Sequence, residues 1–508
     1  IQAVTKEEII RVANKYFKDD YLVYRSKFGF PKKDKVDKPP YEAVKPKNAE
    51  QVSAYAKKLE AIPSDEVKID YVDFQNDVHH EELINNFHFY HNSNPINSIF
   101  SLRLEWGIGN YENNKLSYAT GLGGMIGSES YSFNELKEKL QKIGATLDFF
   151  SSGNYTGINI NGFDSYFSET IEITGDFLRT MKVRKEDEKK LKKLIQSSII
   201  ERKFESRESS AKGNALKEYA IWGESSDYLT RATVNEVKKM DSKILMDQIE
   251  DAMAVETSVF YVGNTDKEIV RQSVKDNFIM NQKLRNSNSP FTWEKKLNKT
   301  NTVFFYNDKK ALQSQIYIIV DGEVMNLEER HRSNIFNKYF GGSMSGLVFQ
   351  EIREFRSLAY SARGTYRRPY YFDRSGRFEG FIGTQADKTI DAIETYIKLL
   401  TDMPEKTGRI EGIKSGLLES LSSSKPSFRS MGLSIRGWEK QGFETDPRKT
   451  QKDVYDSADF NDIKSFYDSY IKDKPITITI VGNKDKIDME KLSKYGQIIE
   501  LKEEDILN

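Results

Sequence analysis

The sequence predicts an α+β protein made of two homologous domains, each with an antiparallel sheet and helices packed on one face. Two pairs of matching segments indicate this duplicated architecture. Residues 89–107, FYHNSNPINSIFSLRLEWG, align without a gap with residues 305–323, FYNDKKALQSQIYIIVDGE. Near the end of each copy, VGNTDK at 262–267 aligns with VGNKDK at 481–486. Similar landmarks at similar spacing favour an internal duplication.

Each copy begins with two apolar-rich strands joined by a short polar connection. These are residues 87–91 and 98–106 in the first copy, and residues 302–306 and 314–320 in the second. Because neighbouring strands with short links usually pair antiparallel, we expect the two strands of each copy to pair with each other.

Helices and further strands follow in the same order in both copies. Apolar side chains recur every three or four positions in residues 132–143, and Val348, Ile352 and Phe355 repeat this spacing within 345–357, which predicts a helix in each segment. Two strand-like runs come next, then a longer helix, and finally an apolar strand that ends at the Gly-Asn of VGN. The predicted later elements are strands at 145–152, 155–162, 359–366 and 377–384 and helices at 167–181 and 387–402.

The amino-terminal segment resembles the end of a repeat. TKEEIIRVANKYFKDD at 5–20 aligns with DFNDIKSFYDSYIKDK at 459–474, and Thr5 with Glu8 forms a predicted capping box. We therefore interpret residues 1–48 as the tail of a preceding domain plus a linker rich in Pro and Lys, and we expect the natural polypeptide to be longer on this side. The remaining boundaries are a first full domain at 49–282, a polar, exposed linker at 283–300 and a second full domain at 301–508.

Composition excludes several classes of function. Among 508 residues, Lys plus Arg and Asp plus Glu each total 77, so no net charge attracts the chain to nucleic acid or to an anionic membrane. There is no cysteine, which excludes disulfides, thiolate zinc sites and cysteine nucleophiles but leaves the cellular compartment open. The longest apolar runs, such as IYIIV at 316–320, are far shorter than the ~20 residues that span a membrane. We therefore expect no nucleic-acid partner and no membrane span.

The histidines offer no zinc motif. No two of the five stand with a carboxylate in the pattern H-E-x-x-H or H-x-x-E-H. HHEE at 79–82 is interpreted as part of a solvated loop, and the histidine of NLEERHRSNIF as a surface residue of a charged amphipathic helix. The five histidines are His79, His80, His88, His91 and His331.

Two further motifs have simple structural interpretations. GGSMSG at 341–346 has the glycine spacing of a phosphate-binding loop but lacks the lysine and hydroxyl residue that must follow, so a tight bend or a close backbone approach explains its glycines better. RGTYRRPYYFDRSGRF at 363–378 alternates arginines with aromatic residues, as some single-stranded nucleic-acid binders do. The neutral net charge and Asp373 favour a twisted hairpin instead.

Taken with the repeats and the VGN endings, GGSMSGLVFQEIREFRSLAYSARGTY at 341–366 resembles the pitrilysin/insulysin family of zinc metallopeptidases. The resemblance implies four homologous domains that form two halves around an unfolded peptide, with zinc bound in the first half by H-x-x-E-H and a distal Glu. This sequence resembles the second half, because YATGL at 118–122 stands where the zinc helix is expected and contains no ligand. The implied cofactor is therefore zinc bound by an amino-terminal half, in the same polypeptide or in a partner subunit.

The same resemblance implies the site residues. REFRSLAY at 353–360 is similar to the family motif R-E-x-x-G-L-A-Y, which gives Arg353 and Tyr360 catalytic roles, although Ser357 replaces the usual glycine. Gly341, Gly342 and Ser343 are expected to line the substrate chamber.

The internal repeat supports these roles for Arg353 and Tyr360. When the gap-free alignment of the first strands is extended, it keeps Glu-aliphatic in both copies but places Lys137 under Arg353 and Gly144 under Tyr360. A purely structural pair would occur in both copies. The alternative is that Arg353 caps its helix and Tyr360 packs in the sheet.

The expected function is the carboxyl-terminal, non-metal-binding half of a zinc-dependent endopeptidase, active as a metalloendopeptidase only in combination with its zinc-bearing half. It would close over an unfolded peptide substrate and supply the Arg and Tyr contacts. The alternative from another class is a non-catalytic peptide-binding or scaffold homologue. Because bacterial relatives of this size are often exported, the expected location is the cell envelope or periplasm.

Overall fold

The structure of the protein is a computed structural model. It describes residues 4–26, 53–62, 68–280, 283–342, 344–354, 356 and 358–508. Most of the predicted linker near the amino terminus, together with Ser343, Phe355 and Ser357, lies outside the described residues, and of Tyr360 only the backbone is described.

The chain divides into two compact units, residues 1–44 and 45–508. The first contains helix α1 (Lys6–Tyr16), which begins with the predicted capping box. The Glu8 amide donates to Thr5 Oγ1 at 3.2 Å, and the Thr5 amide donates to Glu8 Oε2 at 3.4 Å. No side chain of α1 is buried.

The second unit contains a short helix, α2 (Ala54–Glu60), and the first repeat. The elements of this repeat are, in chain order, β1 (His79–Ile84), β2 (Phe87–Ser93), β3 (Ile99–Trp106), α3 (Leu116–Gly123), β4 (Gly127–Ser128), α4 (Phe133–Lys142), β5 (Thr146–Ser151), β6 (Thr156–Phe163), α5 (Phe167–Arg179), β7 (Met181–Lys182), α6 (Asp187–Glu205), α7 (Ser209–Trp222), α8 (Asp227–Thr230), α9 (Val234–Lys239), α10 (Ser242–Ala252), β8 (Thr257–Gly263) and α11 (Lys267–Phe278).

The second repeat follows the same plan and adds a carboxyl-terminal strand. Its elements are β9 (Thr302–Asn307), β10 (Gln313–Val324), α12 (Leu327–Phe340), a π-helical turn (Phe349–Glu354), β11 (Ala359–Arg367), β12 (Ser375–Gln385), α13 (Thr389–Thr401), α14 (Ile410–Ser423), α15 (Met431–Lys440), α16 (Arg448–Ser457), α17 (Phe460–Tyr470), β13 (Ile476–Gly482), α18 (Met489–Ser493), β14 (Gln497–Leu501) and α19 (Glu503–Ile506). Among the described helices, none combines the length and the apolar character of a membrane-spanning segment.

The two six-stranded sheets have the same topology in five of their six strands. The first has the order β1-β2-β8-β3-β6-β5, and the second, read from its opposite end, β14-β9-β13-β10-β12-β11. Only the outer strand differs, since β1 is antiparallel to β2 whereas β14 is parallel to β9. The predicted α+β fold with two duplicated sheet-and-helix layers is therefore confirmed.

The expected pairing of the first two strands of each copy is wrong. Strand β8 lies between β2 and β3, parallel to β2 and antiparallel to β3, and β13 separates β9 from β10 in the same way. The connection from β2 to β3, residues 94–98, can span about 17 Å, which exceeds the ~10 Å across one intervening strand. Every residue of β8 is buried, as expected of a central strand.

Strand register refines the sequence alignment of the two copies. Val262 pairs with Ser101 in the first sheet, and its counterpart Val481 pairs with Gln315 in the second. With the VGN strands superposed, Ser101 thus corresponds to Gln315, whereas the gap-free sequence alignment sets it on Tyr317. A difference of two positions keeps every side chain on its original face of the sheet, so the apolar pattern alone could not distinguish the two alignments.

In the first sheet, one face packs against helices of its own repeat and the other against a helix of the second repeat. Along β8, Val259 and Tyr261 belong to the core that the first repeat forms by itself. Phe260, which points the opposite way, packs instead with Met431 and Ile435 of α15.

The second sheet repeats this arrangement with the roles exchanged. Along β9, Val303 and Phe305 face their own helices, while Phe304 and Tyr306 face helix α7 of the first repeat. A helix of each repeat therefore covers one face of the other repeat's sheet. The residues of α7 in this contact are Ala215, Leu216, Ala220 and Ile221.

Glycines allow these exchanged helices to lie close to the sheets. A Cβ atom on Gly213 of α7 would lie 3.0 Å from the Cβ of Gln315, and one on Gly432 of α15 would lie 3.1 Å from the ring of Phe260. The two glycines coincide when the VGN segments of the two copies are aligned. A buried ion pair reinforces the second contact, since Arg436 Nη2 lies 2.7 Å from Glu105 Oε2.

The predicted linker is less exposed than expected. Ser289 and Pro290 are buried, Ser287 Oγ donates to the Gly107 carbonyl at 2.6 Å, and the Trp293 ring packs 4.5 Å from that of Tyr111. The few apolar residues inside this polar run are enough to fix it against the first repeat, so the described part at 283–300 is an ordered connection.

Candidate functional site

Arg353 lies in the π-helical turn Phe349–Glu354, between the end of α12 and strand β11. Val348 and Ile352 are fully buried, as their spacing predicts, but the helical part is shorter than the predicted 345–357. It ends where the Leu358 amide donates to the Ile352 carbonyl at 3.0 Å. A π-helical turn widens the backbone spiral and is found frequently at functional sites.

The Arg353 guanidinium lies on the surface of this turn. Its Cζ stands 4.7 Å from the centre of the Phe349 ring, and its Nε is 3.4 Å from Glu354 Oε1. The side chain is 37% exposed, so the cation is oriented by a ring and a carboxylate but still reaches solvent. A cation in this position suits recognition of a carbonyl or oxyanion, and it also suits the carboxyl end of a helical turn.

Basic residues that follow α13 hold the turn in place. Arg409 Nη1 donates to the Ser345 carbonyl at 2.7 Å, and its Nη2 donates to Gln350 Oε1. Lys406 Nζ lies 3.6 Å from Glu351 Oε1. Arg409 and Lys406 could not be predicted as part of the site, because nothing in their local sequence indicates which segment they contact.

Tyr360 occupies an irregular position in β11. Ala359 pairs with Thr384 and Ser361 with Gly383, so the pairing register shifts at Tyr360, which marks a β-bulge. Bulges occur preferentially at sheet edges and beside active sites, where they redirect a side chain. β11 is itself the outer strand of its sheet. Arg353 and Tyr360 thus lie on two successive backbone irregularities.

The glycines after α12 serve a close backbone approach. A Cβ atom on Gly341 would lie 2.5 Å from the carbonyl oxygen of Gly364 in β11, and one on Gly342 would lie 2.8 Å from the Asn337 carbonyl oxygen. The structural interpretation of these glycines is therefore confirmed. Their role in lining a substrate chamber, together with that of Ser343, stays a prediction.

The segment in the zinc-helix position does not fit a zinc ion. Residues 118–122 lie in α3, where the Tyr118 hydroxyl is 2.9 Å from Ser198 Oγ and accepts a hydrogen bond from Arg202 Nη2 at 3.1 Å. The guanidinium already places a cation there, and YATGL provides no nitrogen, sulfur or carboxylate ligand. Across the described ranges, no group of three or more His, Cys, Asp or Glu residues could hold a metal ion.

The histidines of HHEE, His79 and His80, do not lie in a loop. They belong to strand β1 of the β1–β2 hairpin, where His80 stacks on Tyr90 with ring centres 4.1 Å apart. Burial, with His88 and His79 nearby, lowers the pKa of His80 to about 4. The prediction was wrong because the run HHEELI lacks the apolar alternation that usually identifies a strand.

His331 is buried rather than exposed. Its side chain is only 2% exposed, and its Nε2 is 2.9 Å from Thr450 Oγ1. The surface prediction failed because α12 packs against α14, α16 and α17, and even its neighbour Arg330 is buried. The Arg330 guanidinium donates to the Pro369 carbonyl at 2.7 Å, which satisfies a charge that the sequence suggests is solvated.

The run of arginines and aromatic residues forms the β11–β12 hairpin, as predicted. Arg367 and Arg377 both pair with Glu379, whose side chain is only 8% exposed. The guanidinium of Arg363 lies 4.6 Å from the centre of the Phe381 ring. These cations are neutralised or stacked within the hairpin.

Part of the chain is similar to a domain of known zinc proteases. Residues 255–417 match the family model described as Peptidase M16 inactive domain. A curated relative, the uncharacterized zinc protease YmxG of Bacillus subtilis, is 22% identical over 297 residues, which cover 58% of this chain and 68% of YmxG. The predicted resemblance to the pitrilysin-type family is confirmed, since this chain is similar to its inactive domain and to a zinc protease of the M16 kind.

Solved structures show the same fold. The periplasmic protease PqqL from Escherichia coli matches with a TM-score of 0.62 and 12% identity, over 95% of this chain and 51% of PqqL. The ferredoxin protease FusC, in complex with Arabidopsis ferredoxin, matches with a TM-score of 0.61 and 11% identity, over 95% of this chain and 51% of FusC. This chain therefore spans about half the length of these two structures.

Proposed function

We propose that this chain is the carboxyl-terminal, non-metal-binding half of a zinc-dependent endopeptidase and that it closes over an unfolded peptide. The observation that carries the proposal is a difference between the repeats. In the first repeat α4 is a regular helix and β5 pairs regularly with β6, whereas the second repeat has a π-helical turn and a bulge in the same place. Irregular backbone costs stability, so its presence in one copy supports a functional role for Arg353 and Tyr360.

In the proposed mechanism, Arg353 and Tyr360 donate hydrogen bonds to the substrate carbonyl and to the oxyanion that develops on it. Donors fixed before the reaction stabilise charge that appears only in the transition state. Phe349 and Glu354 orient the guanidinium, while Arg409 and Lys406 hold the turn that carries it. When bound in the partner half, zinc would supply a Lewis acid and an activated water.

The proposed domain organisation follows the repeats. Residues 1–48 would be the tail of a preceding domain and a linker, residues 49–282 and 301–508 the two full domains, and residues 283–300 their connection. The partner would be an amino-terminal half that carries the zinc ligands, in the same polypeptide or in another subunit.

The names of the relatives support the substrate class and the location. YmxG is described as a zinc protease, PqqL as a periplasmic protease, and the FusC structure contains a bound protein, ferredoxin. We extend to this chain a polypeptide substrate and a site of action in the bacterial cell envelope.

Replacing Arg353 tests the proposal. In the assembly with the zinc-bearing half, Arg353→Ala should lower kcat for an unstructured peptide at least about ten-fold, with little change in KM, because the lost donor acts mainly in the transition state. Tyr360→Phe should have a similar effect. Steady-state peptide hydrolysis measures both constants.

A neighbouring arginine provides the matched control. Arg356 is 47% exposed and pairs with Glu351 at 2.8 Å, so Arg356→Ala removes a similar cation from the same segment. Its kcat should change less than about three-fold. Equal losses in both variants, or no loss in Arg353→Ala, would reduce Arg353 to a capping residue.

The misfit to zinc across the described residues also favours a second candidate, a non-catalytic peptide-binding or scaffold homologue. The two candidates differ in the partner half. Zinc analysis of the purified native assembly discriminates them: one zinc ion per assembly with peptide hydrolysis supports the peptidase, whereas peptide binding without zinc or hydrolysis supports the scaffold.

A further inference from the structure

A groove in the first repeat lies between helix α4 and the outer strand β5. Its cavity of about 280 Å³ is lined mainly by apolar side chains, with Lys137, Gln141 and Asp148 at its rim. The volume is sufficient for one large apolar side chain rather than for a cofactor. The apolar lining includes Phe133, Leu136, Leu140, Leu147 and Phe149.

Strand β5 presents an open edge beside this groove. It pairs with β6 on one side, and among the described residues no strand pairs with its other side. Alternate backbone N–H and C=O groups of an edge strand point outward and can pair with an added strand. Leu147 and Phe149 alternate on the face of β5 that the apolar core also contacts.

We propose that this groove is a second peptide-binding site, in which an extended peptide adds as a strand to β5 and inserts one large apolar side chain into the cavity. This inference rests on the proposed function, because it takes the occupant to be the unfolded polypeptide substrate. Backbone pairing would provide affinity for any sequence, and the cavity would select an aromatic or large aliphatic residue.

The arrangement of groups favours a peptide over other occupants. A lipid needs apolar surface but leaves the backbone groups of β5 unpaired, and an anion needs a cluster of cations. The rim instead carries one cation and one anion, Lys137 and Asp148, beside a neutral Gln141. An edge strand next to a pocket of side-chain size matches the requirements of an extended, uncharged stretch of peptide.

This groove lies at the position in the first repeat that the Arg353 turn occupies in the second repeat. Helix α4 leads into β5 as the π-helical turn leads into β11, and β5 and β11 are the corresponding outer strands of the two sheets. The second repeat would thus carry the contacts to the reacting bond, and the first would retain the binding function without them.

The probe is a fluorescein-labelled nonapeptide of Gly, Ser and Thr with one central Phe, compared with the same peptide carrying Leu or Asp at the centre. Anisotropy titrations with the full chain should show binding of the Phe and Leu peptides and at least about ten-fold weaker binding of the Asp peptide. In hydrogen exchange, the Phe peptide should protect amides of residues 146–151. Equal affinity for the Asp peptide, or no protection of these amides, would overturn the proposal.

Variants on α4 locate the site without disturbing the core. Gln141 is exposed at the groove rim, so Gln141→Trp should cover the cavity and weaken binding of the Phe peptide at least about ten-fold. Glu138 is exposed on the same helix but does not line the cavity, and Glu138→Trp should leave affinity unchanged. Equal effects of the two variants would contradict the site.

The Arg353→Ala variant separates this inference from the proposed function. It should bind the Phe peptide normally and show normal protection of β5. If the Phe peptide fails to protect the β5 amides while Arg353→Ala still lowers peptide turnover, only the groove is refuted. If the Phe peptide protects the β5 amides but Arg353→Ala leaves turnover unchanged, only the catalytic role of Arg353 is refuted. Protection of β5 without peptide, in a dimer seen by sedimentation, would assign the edge to a second copy of the chain instead.

Discussion

Arg353 and His331 show how differently a charged or titratable residue can be used within the same repeat. Arg353 stays partly exposed on an irregular turn, oriented by an aromatic ring and a carboxylate. His331 is enclosed by packed helices, and burial, with Arg368 and Arg330 nearby, lowers its pKa to about 4. The first arrangement keeps a cation accessible to solvent, whereas the second disfavours one.

Burial of His331 predicts a loss of stability in acid. Because its folded-state pKa lies below the usual value near 6.5, the unfolded chain binds a proton that the folded chain does not, and the free energy of unfolding falls as the pH drops from about 6.5 towards 4. His331→Asn should reduce the loss between about pH 7 and about pH 4.5 by about 2 kcal/mol. Urea denaturation at the two pH values measures it.

Thr450→Val provides the control for this prediction. It removes the hydroxyl next to His331 Nε2 but keeps the imidazole buried, so overall stability should fall while the pH dependence remains. An unchanged pH dependence in His331→Asn would show that the proton uptake occurs elsewhere.

At the scale of elements, the exchanged helices α7 and α15 are the main feature that local sequence patterns could not predict. Strand and helix positions followed from periodicity, and most predicted bounds lie close to those observed. Strand order could not be predicted from periodicity, because β8 lies far along the chain from β2 and β3, the two strands that it separates. The π-helical turn was also missed, because over a single turn its apolar spacing equals that of an α-helix.

For the candidate site, the sequence indicates the residues but not their backbone conformation or supporting contacts. The motif REFRSLAY indicates Arg353 and Tyr360, whose catalytic roles stay predictions, and the lack of ligand residues in YATGL follows directly from the sequence. The bulge at Tyr360 and the support from Arg409 depend on contacts between distant segments, which no local pattern encodes.

Close packing of α15 predicts a size limit at Gly432. Gly432→Leu should force the helix away from Phe260 and lower the free energy of unfolding by about 1–3 kcal/mol. Gly416→Leu is the matched control in α14, since a Cβ there meets nothing within 4 Å and leucine is the better helix former. Chemical denaturation compares the two. Equal effects would show that α15 is not tightly seated on the sheet.

At the scale of the whole second unit, the exchanged helices couple the two repeats. The core of each sheet includes side chains from the other repeat, so neither can lose its fold without exposing apolar surface of its partner. We expect residues 45–508 to unfold cooperatively.

The buried pair Arg436 and Glu105 tests this coupling. Arg436→Met leaves Glu105, which is 3% exposed, with Arg103 at 3.0 Å as its remaining partner, and should cost about 1–3 kcal/mol. Native-state hydrogen exchange should then accelerate equally in β3 and β10, which belong to different repeats. Acceleration confined to β3 would mean that the repeats unfold independently.

An exposed ion pair serves as the control. Lys464 lies 3.5 Å from Glu405, with side-chain exposures of 45% and 56%, so Lys464→Met should change stability by less than about 1 kcal/mol. Comparing Arg436→Met with Lys464→Met distinguishes the effect of losing a buried ion-pair partner from the effect of losing any positively charged side chain.

The mutual exchange of helices has a consequence for the origin of the chain. A single ancestral repeat would have carried one uncovered sheet face and one helix suited to cover such a face on a twin. Two identical copies would have satisfied each other around a twofold axis, as an isologous homodimer. Gene fusion would then have preserved that symmetry in one polypeptide while freeing the two halves to diverge, which fits an unusual turn and bulge appearing in only one of them.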